Sequence, residues 1–237
     1  MPAVLVHGVP DTAELWEPFR SRLARRDVVC PNLPGFASPP PDGFACTKDA
    51  YLDWLVGELE AIGEPVDVVG HDWGGLLVQR IATTRPDLVR TWAIADGAVS
   101  PRFRWHELAT QWQTPDVGEQ IVELMTPDAT AAALRDARHP DAEGAASRVD
   151  DDMKHAVLAL YRSAVDVRSE WSPPRDRPTP PAHVFWGAHD PYGPPEFGQA
   201  AAALAGAPLL VLDAGHWSIF ERPDEVVPVL ERLWQMA

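Results

Sequence analysis

An aspartate between glycines, a later aspartate and a still later histidine are residue types that together can perform nucleophilic chemistry. Asp72 stands in Gly70-His71-Asp72-Trp73-Gly74, between the apolar run Val66–Val69 and the helical stretch Gly75-Leu76-Leu77-Val78. Glycines on both sides let a chain turn sharply from strand to helix and raise one side chain above the strand end. The helix start behind it offers free N–H groups and the positive end of a dipole. A turn capped by an aspartate would read the same on this fragment alone, so the rest of the chain must decide.

Three further pieces do. His7-Gly8-Val9-Pro10 follows the first apolar run, and the backbone N–H of Val9 could join that of Trp73 in an oxyanion hole. Asp190 follows a later run in Trp186-Gly187-Ala188-His189-Asp190-Pro191, and His216 follows another in Gly215-His216-Trp217. Nucleophile, acid and histidine thus occur in the chain order of an elbow-type triad, each at the C-terminal end of an expected strand, where open parallel sheets carry their sites. Asp96, directly after Thr91–Ala95, is the alternative acid. The fuller Trp-Gly-x-x-Asp pattern favours Asp190, and a cap or a loop-fixing role is the plainer reading of Asp96.

A carboxylate in the elbow changes the reaction. With a solution pKa of about 3.9 it is anionic at neutral pH and needs no base before attack. It suits displacement of a leaving group from saturated carbon, giving an alkyl-enzyme ester. His216 would then activate the water that hydrolyses this ester, with the charge developing on an Asp72 oxygen.

The elements that must position these groups alternate. Strands are expected at Val4–Val6, Val28–Cys30, Val66–Val69, Thr91–Ala95, Val184–Trp186 and Leu209–Leu212, with amphipathic stretches between them. That is the pattern of a parallel sheet covered on both faces. One helix is well marked: Thr47 as N-cap, Tyr51, Leu55, Leu59 and Ile62 on one face, Gly63 as terminator. From Gly97 to Pro181 only helical patterns occur, at Trp105–Gln113, Gly118–Met125, Ala129–Ala137 and Val149–Trp171, ending in the proline-rich run Ser172–Pro181 that reads as a stiff linker.

Composition narrows the class. Apolar residues at 46% and charged residues at 23% fit a globular chain with a sizeable core, and the net charge of −15 excludes the clustered basic surface that nucleic acid requires. No stretch is long and apolar enough for a membrane span, and the start of the chain has no signal-peptide pattern. Cys30 and Cys46 form no metal or redox motif, so a cytoplasmic protein with two free thiols is expected. No cofactor and no metal are called for. A small-molecule substrate is the expected partner, and a homodimer is compatible with such a chain. His106, His139, His155, His183 and His189 lack metal-ligand spacing and are read as solvated or structurally hydrogen-bonded.

Through Asp11–Arg25, Pro31-Asn32-Leu33-Pro34-Gly35-Phe36, Gly-His-Asp-Trp-Gly-Gly and Gly-His-Trp, the chain resembles the α/β-hydrolase superfamily, in its aspartate-nucleophile branch of epoxide hydrolases and haloalkane or haloacetate dehalogenases. The resemblance implies an α/β-hydrolase fold with about six strands, mostly or wholly parallel and without the family's N-terminal hairpin. It also implies a core of residues 1–96 and 182–237, and a helical cap of residues 97–181 inserted after the fourth strand. It implies that Tyr161 protonates an opening epoxide, that Trp73 and Val9 bind the oxyanion or leaving group, and that Trp105 and Trp112 contact substrate. Epoxide hydrolases usually carry a second cap tyrosine, which is lacking here, and haloacetate dehalogenases carry arginines beside the elbow, where this chain has Leu76 and Leu77. The expectation is an epoxide hydrolase acting on an apolar epoxide, with a dehalogenase as the alternative. A non-catalytic ligand-binding protein of the same fold is the alternative of another class.

Overall fold

The computed structural model describes residues 1–174 and 179–236. Its sheet has six strands, β1 Ala3–Val6, β2 Val28–Val29, β3 Val66–His71, β4 Val89–Ala95, β5 Ala182–Gly187 and β6 Leu209–Leu212. They lie in the order β2-β1-β3-β4-β5-β6, and every pairing is parallel. The first strand lies one in from the β2 edge; the chain runs to that edge, returns past β1 and then winds to the other edge. The crossover reversal beside β1 and β3 opens a crevice at their C-terminal ends.

Alternate residues of each strand feed two cores, as the pleat requires. Val4 and Val6 of β1 face one cluster with Leu55, Leu59, Leu77 and Ile81, while Ala3 and Leu5 face the other with Trp16, Phe19 and Leu230. The helices that cover these faces are α1 Glu17–Arg20, α2 Lys48–Ile62, α3 Trp73–Thr84, then, after β5, α10 Pro195–Ala205, α11 Ser218–Glu221 and α12 Pro223–Gln235. The ends of α2 follow from its sequence: Thr47 Oγ1 accepts the Ala50 N–H, and Gly63 stops the helix at φ +80°.

Among the described residues between β4 and β5 stand six helices, α4 Glu107–Gln113, α5 Val117–Glu123, α6 Pro127–Asp136, α7 Ala142–Ser147, α8 Asp151–Ser163 and α9 Val167–Trp171. Two differ from the sequence expectation. The stretch expected as one helix, Val149–Trp171, is two, broken at residues 164–166, where the Trp105 indole N–H takes the Ala164 carbonyl at 2.9 Å. The α7 helix was not anticipated, because Ala-Glu-Gly-Ala-Ala-Ser carries no large apolar period. Of the expected proline-rich linker, residues 175–178 lie outside the described residues. Pro180 and Pro181 are bound to β4 through Trp92, whose indole and backbone N–H groups donate to their carbonyls. Among the described residues no helix is long and apolar enough to cross a membrane.

Candidate active site

Asp72 sits between β3 and α3 at φ +49° and ψ −121°, a conformation that costs a non-glycine residue about 1–3 kcal/mol and is held only by its surroundings. Those surroundings are glycines in close approach. A Cβ on Gly74 would lie 2.2 Å from the Val6 carbonyl oxygen, and one on Gly8 would lie 2.3 Å from Asp72 Oδ2. Side-chain-free positions therefore let the elbow press against the turn after β1.

That approach differentiates the two oxygens of Asp72. Oδ2 accepts the Val9 N–H at 2.7 Å, whereas Oδ1 lies 3.7 Å from His216 Nε2. The N–H of Trp73, in the first turn of α3, has no carbonyl of its own helix to bond. Burial opposes the charge on Asp72, but His216, His71 and the Val9 N–H together hold its carboxyl below the usual carboxylate range. The turn after β1 is itself locked: the Leu33 N–H donates to His7 Nε2 at 3.0 Å, so the ring proton is on Nδ1 and bonds the Gly8 carbonyl at 2.8 Å.

His216 meets Asp190 on its other side, Nδ1 to Oδ2 at 3.0 Å. Burial disfavours the imidazolium, yet Asp190 and Asp72 outweigh it and raise the His216 pKa well above its ordinary value. Beneath, the His71 Nε2–H donates to the His216 carbonyl at 2.9 Å, and burial lowers the His71 pKa to about 4, so this prop is neutral.

Asp96, the alternative acid, does not contact His216. Its Oδ1 accepts the Gly187 N–H at 2.7 Å, and its Oδ2 meets the Ser218 N–H at 3.1 Å and the Ser218 hydroxyl at 2.6 Å. It pins the end of β4 to the ends of β5 and of the histidine loop, and burial together with Asp190 drives it towards its neutral form.

Above Asp72 and His216 lies a cavity of about 220 Å³ whose remaining wall comes largely from α4, α5, α6 and α8. Leu108, Ile121, Met125, Ala133 and Leu134 make it apolar, and among the described residues no lysine or arginine lines it. Tyr161 and Trp112 both border it. Burial, and then the charge of Asp72, keep the Tyr161 hydroxyl protonated, although the Trp73 indole beside it pulls the other way. Trp105 does not reach this cavity. Its N–H donates to the Ala164 carbonyl and its ring packs 5.6 Å from Trp73 and 5.2 Å from Tyr161, so it borders a small recess beside Asp72 and His216 and, on another side, a pocket with Arg104 and Val165.

Two wall residues were missed from sequence. His106, read there as solvated or structural, caps α4: the Ala109 N–H donates to its Nδ1 at 3.2 Å, leaving the ring proton on Nε2. Burial lowers its pKa to about 4, so it is a neutral ring on the cavity wall. Tyr192 lies 4.8 Å from the His216 ring and 4.9 Å from that of His106. Its position two residues after Asp190 was the available signal. His139 is buried and hydrogen-bonded, and His189 pairs with Asp213 in an exposed position, as structural histidines do.

A model of the alpha/beta hydrolase family matches residues 3–229. A haloalkane dehalogenase of Mycolicibacterium paratuberculosis is 26% identical over 267 residues, covering 100% of this chain and 84% of that protein. An (E)-2-((N-methylformamido)methylene)succinate hydrolase of Acinetobacter baylyi is 30% identical over 98 residues, and this match spans 40% of the chain and only 37% of that protein. Among solved structures, epoxide hydrolase A from Mycobacterium thermoresistibile has the same fold, with a TM-score of 0.76 at 22% identity over 99% of this chain and 91% of that one.

Proposed function

The chain belongs to the alpha/beta hydrolase family, and from that premise we propose that it works through an alkyl ester on Asp72 and opens an apolar epoxide to a vicinal diol. The observation that carries this reading is the inequality of the two Asp72 oxygens, Oδ2 held by Val9 at 2.7 Å and Oδ1 facing His216 at 3.7 Å.

Oδ1 attacks an epoxide carbon from below as the ring C–O bond breaks, and the Tyr161 hydroxyl protonates the departing oxygen. The product of this step is a hydroxyalkyl ester in which Asp72 is no longer an anion. One of the two charges that keep His216 protonated is then gone, so the imidazolium gives up its proton, the Tyr161 oxygen regains the one it lost, and the histidine becomes available as a base. Its Nε2 takes a proton from water, the hydroxide adds to Cγ of Asp72, and the charge passes to Oδ2, where the Val9 N–H already waits. Collapse breaks the Cγ–Oδ1 bond, the diol oxygen takes up the proton, and the carboxylate returns. The apolar cavity wall, without a lysine or arginine among the described residues, favours an uncharged substrate.

A second reading, release of halide from a haloalkane, draws on another observation. The Trp112 indole N–H is buried without an acceptor among the described residues, and the Trp73 indole N–H has no well-aligned acceptor there, only the Tyr161 hydroxyl beside it. An orphaned buried donor costs about 1–3 kcal/mol, a cost that a halide accepting from the Trp112 N–H would remove.

The test of the shared mechanism is His216→Ala. It should react once and stall, gaining the mass of the epoxide, or of the haloalkane less hydrogen halide, on the peptide containing Asp72. Asp72→Ala should gain none. An inactive His216→Ala protein that never gains mass, on a substrate that the wild type turns over, would refute the ester. Parallel assays for diol formation and halide release then separate the two substrates.

A further inference from the structure

Two chains of polar contacts run from a single turn of the inserted helices to both sides of His216, and no step of the reaction above uses them. The turn, residues 137–139, joins α6 to α7. In the first chain the His139 Nε2–H donates to Asp11 Oδ1 at 2.7 Å, and Asp11 Oδ2 accepts the indole N–H of Trp217 at 2.9 Å. The Asp141 N–H donates to His139 Nδ1 at 2.9 Å, which fixes the tautomer that makes this possible. In the second chain Arg138 pairs with Glu221 Oε2 at 2.8 Å, while Glu221 Oε1 accepts the Gly215 N–H at 2.7 Å. Gly215 and Trp217 are the two chain neighbours of His216.

Packing follows the same line. The His139 ring stands edge-on to Trp217 at 4.5 Å, and a Cβ on Gly215 would come 3.5 Å from the Ala137 carbonyl oxygen. Asp11 and His139 are 2% and 8% exposed, so their pair is dry and geometrically demanding. The same helix meets the substrate space, since Ala129, Ala133 and Leu134 line the cavity. One helix therefore touches the substrate space along its length and holds the histidine loop at its end.

We propose that the 137–139 turn is a positioning device for His216, with Asp11, His139, Arg138 and Glu221 as its positioning residues: seating α6 over the substrate sets the loop 215–217 and brings Nε2 into register with Asp72. Its catalytic consequence rests on the Asp72–His216 reading; its structural consequence does not. A displacement of about 1 Å in a reacting group can cost about 10²-fold in rate, and only the water-activating step needs the histidine.

The test compares His139→Ala, His139→Gln and Arg138→Ala in the full chain with two measurements. Hydrogen exchange followed by mass spectrometry should accelerate about tenfold or more across residues 213–222 in His139→Ala, the scale expected for loss of a charged hydrogen bond, with β3 and β4 unchanged. His139→Gln, which keeps a donor for Asp11, should recover part of the protection. In single-turnover intact-mass measurements the ester should form at the wild-type rate but decay about 10–100-fold more slowly. Arg138→Ala, at an exposed site, should move both readouts in the same direction without loss of folding. Unchanged exchange at 213–222, exchange accelerated throughout the chain, or equal slowing of ester formation and decay would each overturn the proposal. Should the wild type form no ester, it is the Asp72 chemistry that fails, and the exchange result alone decides the clamp.

Discussion

Asp190 Oδ2 lies 3.0 Å from His216 Nδ1, whereas Asp96, at the end of the neighbouring strand, turns its carboxylate to Gly187 and Ser218. One strand position along the sheet thus separates a carboxylate that orients the histidine from one that fastens loops.

The two should separate in kinetics. Asp190→Asn is expected to lower kcat by about 10³–10⁴-fold by removing the charge that stabilises the imidazolium. Asp96→Asn turns one acceptor into a donor facing the Ser218 N–H, and should cost about 1–3 kcal/mol of stability with a far smaller loss of kcat. Thermal unfolding and steady-state rates on both variants check this; a kcat loss concentrated in Asp96→Asn would reverse the assignment.

Two carboxylates raise the His216 pKa in the resting protein. Esterification removes the charge of one, so ester decay should titrate at lower pH than His216 does in the free protein, as seen by imidazole proton resonances. Coincident values would contradict this coupling. Folding raises this pKa, so the stability it contributes is complete below the unfolded value of about 6.5 and is lost as pH rises through the folded value.

Tyr161→Phe removes a protonated, buried donor beside Asp72. With an epoxide, ester formation should slow by about 10²–10⁴-fold, while decay of ester already formed should be unaffected. Quenched single-turnover measurements distinguish the steps, and an unaltered rate of ester formation would take Tyr161 out of the reaction.

Gly8→Ala brings a Cβ to within 2.3 Å of Asp72 Oδ2. Either the turn or the nucleophile must move, and a shift near 1 Å predicts a loss of about 10²-fold in kcat. Because Gly8 has no left-handed backbone, Tm should fall little; wild-type turnover would mean that the turn yields freely.

Much of this was legible in the residues. Strand–glycine–helix spacing marked Asp72, and Thr47 and Gly63 marked the ends of α2, because such signals are local. The choice between Asp96 and Asp190 was not local: both follow a strand, and only the tertiary direction of each side chain divides them. His106 escaped because a lone histidine beside a helix start carries no period. The link from Asp11 to His139 spans 128 residues and leaves no spacing to read. Trp105, expected to contact substrate, borders a recess beside Asp72 and also binds the carbonyl of Ala164 at the end of α8, a contact that depends on where two distant segments meet.

The hydrogen bond from Val9 to Oδ2 gives Asp72 a kind of isotopic memory. In the proposed two-step reaction the oxygen that departs with each diol is the former Oδ1, and the oxygen that replaces it comes from water. As long as Val9 keeps hold of its partner, only one position of the carboxylate is renewed. Many turnovers in heavy-oxygen water should therefore leave Asp72 with a single labelled oxygen, and the first diol released should carry none. A carboxylate that spun between turnovers would take up two. Counting heavy atoms in one peptide thus reads how firmly a single backbone N–H grips its oxygen while the enzyme is at work.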